Sequence, residues 1–522
     1  MDYDINLRKE KLLKALIVIS CPVLTIILST RFYITGVIIG AAFSLLISIF
    51  IMFGNNMRIT KVNKRKCILS TIISCYMMKV FLSFYNFTIQ EIAKNSNIGI
   101  YIIETILGIC SLPVVIFIVY KFIDIFIPKI KIFFMNLSGA EIEYLHIILI
   151  VSIIVSFFTI HSTTAFTKPG DIDVIYTSDS FDMLIKDVYC NVSHNENDIR
   201  QPLFGFFSLP FGILARLISE FVFFVPDNYE YEFVMTIFQF LITTITTILI
   251  ARLLKVEEKD KKYIYILFSF SFPYIVFNLV LEQYVIALFY LILTIYMFCN
   301  NDGTNYAYIG ATGTLVTSVI LLPLITKFKN KKQYIKDVLE SFIIFTSIFL
   351  ISGQFSQLTF LSNTMTSLMS FAKPVPIIDK IYQFLNFVQG IFFSCKGEIV
   401  GNRYWLQQVD CISIIGLVLF VIVLISGIIN RKEIIGKISF FWVLFSILIL
   451  VIFGWGTTEN GLILYSLYFA WAYLCLYYMF LNKLCPKNRK LFITLILITV
   501  AFMAILNVKE FLNILAFGVK FY

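Results

Sequence analysis

The sequence predicts an all-α fold: a polytopic transmembrane helical bundle of about 13 spans plus a re-entrant helical hairpin, with two long external loops carrying interfacial helices. Three observations lead there. Of 522 residues, 59% are apolar and 14% charged, where soluble domains average roughly 45–50% and about 25%. That leaves too little polar surface to cover soluble domains, and the scarcity of Gly (23) and Pro (12) excludes collagen-like and disordered chains. Second, the apolar runs are continuous and about 17–22 residues long, which suits helices rather than the roughly 9–11-residue alternating strands of a membrane barrel. Third, the cations are distributed unevenly along the chain, as the positive-inside rule requires.

Apolar spans are expected near 12–30, 33–53, 67–87, 98–120, 145–162, 232–251, 263–281, 283–299, 338–354, 411–429, 438–453, 462–481 and 491–508. Arg8, Lys9 and Lys11 precede the first span and no small-residue cleavage site follows it, so it reads as an uncleaved anchor with a cytoplasmic N-terminus. Residues 306–326 are apolar but Gly- and Thr-rich and run into Lys327, Lys329, Lys331, Lys332 and Lys336. Read as a re-entrant hairpin, they keep those cations inside. Of the 42 Lys and Arg, 29 then lie in cytoplasmic segments, with Lys14 at the edge of the first span counted among them, 12 in external ones and one, Lys79, in a span. The net charge of +10 thus belongs to membrane orientation rather than to nucleic acid. The reading is of a multi-pass integral protein of the cell (plasma) membrane.

Three parts follow: accessory helices over 1–140, a core with the first external loop (161–231) over 141–352, and the second external loop (355–410) with the C-terminal helices over 353–522. Long loops on one side of a bundle usually carry function. In the second, Asp379, Lys380, Gln383, Asn386 and Gln389 recur at helical spacing within 377–393, the pattern of an amphipathic helix lying in the membrane interface. Residues 203–224, interrupted by Gly, Pro, Arg216 and Glu220, read as interfacial too. The 10 Cys show no CxxC, and His161 and His194 have no second ligand at metal spacing. Cys190 and Cys395, both in external loops, are candidates for a disulfide that sequence cannot decide.

Chemistry concentrates in a few places. The first loop holds Thr177-Ser178-Asp179-Ser180-Phe181-Asp182, then Arg200-Gln201-Pro202-Leu203-Phe204. A carboxylate at a membrane surface suits a general base or a cation ligand, and an arginine offers a planar fork to phosphate. The same residues also read as a solvated loop whose Asp side chains cap helices. Glu282 lies in an almost unbroken apolar stretch, where a carboxylate is costly and commonly functional, or else marks a tight interfacial turn. Gly454-Trp455-Gly456-Thr457-Thr458-Glu459-Asn460-Gly461, leading to Tyr465, and Asn402-Arg403-Tyr404-Trp405 pair close-approach backbone or a cation with aromatics; both also fit a turn beside an aromatic belt. No P-loop, GxGxxG, HExxH, SxxK, nucleophile elbow or nucleic-acid motif is present.

From residue 145 to about 510 this arrangement resembles the GT-C superfold of polytopic membrane glycosyltransferases that use polyprenyl-phosphate sugars. Thr177-Ser178-Asp179-Ser180 is similar to that class's acidic motif, Arg200-Gln201-Pro202-Leu203-Phe204 to its Pro-Leu element, Glu282 to its second acid at a helix junction, and Gly454–Tyr465 to the loop before its late aromatic helix. The chain departs in having Asp179-Ser180 for a doubled acid, Gln201 where a basic residue is frequent, and four extra N-terminal spans. The resemblance implies an inverting transfer in one exchange. Asp179 is the base and Glu282 assists, while Asp182, Arg200, Gln201, Arg403, Trp405, Trp455, Glu459 and Tyr465 bind substrate. It also implies a lipid-linked sugar donor, a glycan, lipid or protein acceptor, and membrane lipids as partners. Members differ in their use of a divalent metal, and no ligand set here decides the cofactor. A carrier of lipid-linked sugar or polysaccharide, and a non-catalytic scaffold, are the alternatives from other classes.

Overall fold

A computed structural model describes residues 63–75, 127–162, 175–176, 183–184, 188–190, 200–223, 228–300, 305–321, 375–406, 412–455 and 461–521, with single positions between. The expected spans 12–30, 33–53 and 98–120, and nearly all of 338–354, fall outside those residues. The chain forms two compact units, one of residues 1–137, 189–213 and 335–361 and the other of 138–188, 214–334 and 362–522. In the first, a helical stretch from 64 is capped by Asn63, whose Oδ1 accepts from Arg65 N (3.0 Å) and Lys66 N (3.4 Å).

The described residues contain six helices long and apolar enough to cross a membrane, as a membrane protein needs. In chain order the helices are α1 (Gly139–Ser162), α2 (Phe204–Phe223), α3 (Asn228–Leu253), α4 (Lys261–Ser269), α5 (Phe272–Val276), α6 (Tyr284–Cys299), α7 (Asn305–Thr314), α8 (Ile377–Phe392), α9 (Ile414–Ile429), α10 (Ile434–Ile447), α11 (Ser466–Leu484) and α12 (Arg489–Phe521). Strands β1 (Gly397–Val400) and β2 (Arg403–Leu406) make the one sheet among the described residues. The all-α class holds, with this hairpin as an unforeseen addition inside the 355–410 loop. Its two-residue turn starts at Gly401, whose φ of +60° is the left-handed backbone that a tight hairpin needs.

Burial in the second unit is arranged for an apolar solvent. The core helix is α11, with Trp471 and Tyr473 fully buried against Trp442 of α10 and neighbouring rings. The outward residues of α1 (Ile150, Ile154, Phe158) and α9 (Ile414, Val418, Val421) are large and aliphatic or aromatic. Polar groups turn inward and satisfy themselves locally: Thr243, Thr244, Thr246 and Thr247 of α3 donate to the carbonyls four residues earlier at 2.7–2.9 Å.

Several expectations change. The span 263–281 is two short helices. Pro273 sits in the first turn of α5, where its missing N–H costs nothing, and Ser271 before it is extended (φ −68°, ψ 144°). The carbonyl this break frees, Phe270 O, accepts from Asn507 Nδ2 of α12 (2.7 Å). Residues 203–224 form one continuous 20-residue helix despite Pro210, and it is long enough to span. The last helix continues to Phe521, well past the expected end at 508. Within 306–321, α7 ends at Thr314, Leu315 is extended (φ −153°, ψ 110°), and a 3-10 turn covers Val316–Ile320; 322–326 lie outside the described residues. Cys190 and Cys395 are each buried, in different units.

The helix over 377–392 exists, with Asp379, Lys380 and Gln383 half-exposed. Asn386 is buried, and Gln389 Oε1 accepts from Ser413 Oγ (2.5 Å). The exposed residues are Ile377, Ile378 and Ile381. The rest of its buried face is apolar: Phe384, Leu385, Phe387, Val388, Ile391 and Phe392.

Candidate functional site

Two ends of the second unit are fixed by its own contacts. At one, Glu141 at the start of α1 accepts two bonds from Arg252 at the end of α3 (2.9 and 2.6 Å), and Lys261 Nζ adds a third at 3.0 Å. Arg489, at the start of α12, pairs there with Asp260. Glu510 lies 21 residues further along α12, about 30 Å away at 1.5 Å per residue, which is the thickness of a hydrocarbon layer. Arg403 and Trp405, which flank Tyr404 in β2, lie at that far end.

The end is organised by Glu510. Its Oε1 accepts from Tyr404 Oη (2.6 Å), Gly397 N (2.9 Å) and Tyr176 Oη (3.5 Å), and its Oε2 from Asn513 Nδ2 (3.1 Å). Tyr404 belongs to β2, and Ile175 pairs with it through a single parallel bridge, with Tyr176 N donating to Tyr404 O (2.9 Å). Tyr176 has φ +49°, a strained value for a side-chain-bearing residue and a feature that clusters at functional sites. Burial, then the Glu510 carboxylate, hold both phenols well above the usual tyrosine range, so they remain donors. The last helix thereby pins the residues immediately before the acidic motif. Asp179 and Asp182 lie outside the described residues; those flanking them do not. Ser178 N donates to Ile175 O (3.0 Å), and Gln283 Nε2 donates to Met183 Sδ (3.3 Å).

That second contact brings the 183–184 segment to Gln283, next to Glu282. Glu282 is 2% exposed, in the non-helical junction between α5 and α6. The junction is held against α3 by Gln239 Nε2 donating to Val280 O (3.2 Å) and Thr243 Oγ1 donating to Asn278 Oδ1 (2.5 Å). Thr236 and then Glu232 continue that stripe at helical spacing. Glu232 is 1% exposed and its Oε2 has no partner. Tyr284, following the junction, meets Tyr465 edge-on (5.7 Å, 82°). Tyr465 ends a 3-10 turn beginning at Gly461, while Trp455 at the other side of the loop donates its N–H to Ile449 O (3.1 Å). Glu459 lies outside the described residues.

Arg403 and Trp405 leave β2 on the face opposite Tyr404. The guanidinium carbon sits 5.7 Å from the Trp405 ring, and the two line an open concavity of about 510 Å³ with Val400, Gly401 and Asn402. The Trp405 Nε1 is buried without a partner. In the first unit, Arg200 is half-buried and Gln201 buried in the turn that opens α2. There the ring of Phe204 meets Tyr189 (5.6 Å), and Ser208 Oγ donates to Tyr189 O (3.1 Å). Among the described residues no three His, Cys, Asp or Glu side chains gather as a metal site.

Within the second unit, then, the structure joins Glu282 to Tyr465 through Tyr284 and to the 183–184 segment through Gln283. Sequence reasoning missed Glu510, Tyr176 and Glu232, and quoted Tyr404 only as part of its motif. Glu232 and Glu510 carried the same signal as Glu282, an acid beside a long apolar run. Comparison with protein families, curated proteins and solved structures gave no match.

Proposed function

We propose that this protein is a membrane glycosyltransferase moving a sugar from a polyprenyl-phosphate donor to a glycan, lipid or protein acceptor at the extracytoplasmic face, with inversion. The N-terminus is cytoplasmic in this reading, and the end of the second unit bearing Glu282 and Glu510 is external. Asp179 takes the proton of the acceptor hydroxyl, whose oxygen attacks the anomeric carbon. The bond from that carbon to the phosphate oxygen breaks, and polyprenyl phosphate leaves with its electron pair. Arg200 and Arg403 offset the charge growing on that phosphate. Glu282 and Asp182 orient the acceptor, while Gln201, Trp405, Trp455, Glu459 and Tyr465 hold sugar and prenyl chain. A divalent metal is not assigned.

The observation that supports this best is the anchoring of both flanks of the acidic motif: Tyr176 to Glu510 and β2, Met183 to the residue beside Glu282. A structural loop gives no reason to strain Tyr176 or to bury Glu282. The test is sugar release from labelled polyprenyl-phosphate hexose in proteoliposomes, wild type beside Asp179→Asn, with free polyprenyl phosphate counted. Turnover in the wild type that the variant loses supports the transferase. Equal behaviour, or no donor consumed, contradicts it.

A second reading, a carrier of lipid-linked sugar, is favoured by the break at 270–271 and by the buried polar stripe of Glu232, Thr236, Gln239 and Thr243, since carriers place substrate at interrupted helices. Leaflet-to-leaflet movement of labelled lipid in the same vesicles separates the two.

A further inference from the structure

Helix α3 carries a polar stripe along most of its length. Glu232, Thr236, Gln239, Thr243 and Thr247 recur at intervals of three or four residues, and all five are buried. From Glu232 to Arg252 the helix rises about 30 Å at 1.5 Å per residue, the depth of a hydrocarbon layer. The threonines bond to carbonyls of their own helix and need nothing further. Four other groups along the same line do. Glu232 Oε2, Gln239 Oε1, Tyr274 Oη and Tyr265 Oη are buried without a hydrogen bond, on residues 1%, 0%, 2% and 2% exposed.

These groups follow one another through the unit. Gln239 holds Val280 O, and Thr243 holds Asn278, whose Nδ2 donates to Tyr274 O (2.6 Å). The Tyr274 hydroxyl stands beside Thr247. So does that of Tyr144, which shares a hydrogen bond with Ser269 Oγ (2.8 Å). The Tyr144 ring stacks on Tyr265 (4.2 Å, 6°), and Tyr265 borders Glu141 and Glu258. The Glu258 side chain is half-exposed, so the line ends in water. At the other end Glu232 lies about one turn inside the start of α3. Leaving a buried polar group unpaired is costly, and water settles where several such groups surround it. The set also suits a proton better than a metal ion. Glu232 is the one acid of the four, and among the described residues no three His, Cys, Asp or Glu side chains converge. Hydroxyls and water both donate and accept, so each can take one proton as it gives up another.

We infer that α3 carries a proton path through this unit: Glu232 exchanges a proton at one side, and water bridging Gln239, the Thr243–Asn278 pair and the tyrosines beside Thr247 relays it to Glu258 at the other. At each transfer one O–H bond forms as the next breaks. One proton leaves for each that enters, so no co-reactant is needed. Ionisable residues inside membrane spans commonly serve such relays. The other titratable groups facing α3 are held in place at the far end: Glu141 pairs with Arg252 and Lys261, and Tyr296 of α6 lies beside Arg252. The inference goes beyond both the transferase and the carrier and depends on neither, because the path conducts without a sugar donor.

The experiment uses full-length protein in phosphatidylcholine vesicles enclosing a pH-sensitive dye, with a potassium gradient and valinomycin setting the membrane potential. Proton entry faster than in protein-free vesicles is expected. Glu232→Gln should slow it by roughly 100-fold, the scale of a positioned proton donor. Tyr274→Phe, in the middle of the line, should slow it less. Tyr473→Phe removes a buried hydroxyl bonded to Ser446, off the line, and should leave the rate unchanged. Thermal unfolding counts the folded fraction of each variant. Infrared spectra should show a protonated carboxylic-acid band that Glu232→Gln removes and D2O shifts, which a sealed structural carboxyl would not give. Proton entry no faster than in protein-free vesicles overturns the path. So does a rate unchanged in Glu232→Gln, a loss as large in Tyr473→Phe, an infrared band unmoved by D2O, or sodium uptake that Glu232→Gln abolishes.

Discussion

Glu141 and Glu232 are equally buried carboxylates in the same unit, at opposite ends of the paired helices α1 and α3. Glu141 is gripped by two cations and by Ser138 N (3.0 Å). Glu232 has an oxygen with no partner at all. At Glu510, close to the site, the partners are phenols, a backbone amide and a side-chain amide. One end thus uses its charges on each other, to fasten α1, α3 and α4. At the other, the described partners of Glu510 are neutral groups, and the unpartnered Glu232 oxygen costs stability. The difference separates an end fastened by ion pairs from one with an unpartnered buried carboxyl oxygen, where the proposed chemistry would lie.

The largest expected effect is at the fastened end. Glu141→Ala leaves Arg252 and Lys261 without their shared anion and should destabilise by about 3–5 kcal/mol, the usual result of breaking a buried pair; denaturant unfolding in detergent measures it. Next is Glu232→Met. A bare buried carboxyl replaced by an apolar chain of similar length should stabilise by about 1–3 kcal/mol while lowering turnover or transport. A loss of stability there would erase the contrast between the ends. Tyr404→Phe should cost about 1.5–3 kcal/mol for one bond to a carboxylate. Combined with Glu510→Ala in a double-mutant cycle, it should show coupling, because both act on one latch. The smallest effect is chemical. Burial and then Glu510 push the Cys395 thiol up to about 12. An acid whose pKa folding raises favours the protonated form, so this contribution is complete below the free thiol's value of about 8.5 and is lost as pH climbs from there towards 12. Maleimide should therefore spare Cys395 at neutral pH and reach it in Glu510→Ala, where the hairpin is released.

Composition and the placement of cations made the class legible, because a bilayer demands long apolar runs whatever the sequence detail. The run 232–251 sits within α3 and the run 411–429 nearly coincides with α9, since turn residues or cations bound them. The break at Ser271 was hidden inside an apolar run, and its compensating partner, Asn507, is 237 residues away in sequence. The hairpin was hidden because Gly397–Leu406 mixes charged, small and aromatic residues with no strict alternation. At the site, Glu282 was legible from its cost alone. The helix over 377–392 was legible from its period, because most of its polar residues fall on a half-exposed side and its Phe, Leu and Val residues on the buried one. Glu510 was unreadable as a latch, because Tyr176 and Tyr404 reach it from segments 334 and 106 residues away.

The most direct test of the contrast between the two ends is donor turnover per folded molecule, measured side by side for wild type, Glu141→Gln and Glu282→Gln, with the folded fraction taken from unfolding curves. The account predicts that Glu141→Gln loses stability yet keeps nearly full turnover per folded molecule, while Glu282→Gln keeps its stability and loses turnover by roughly 100-fold or more, the scale of a positioned acid–base group. Turnover lost equally in both, or retained in Glu282→Gln, would contradict the division into a structural and a chemical end.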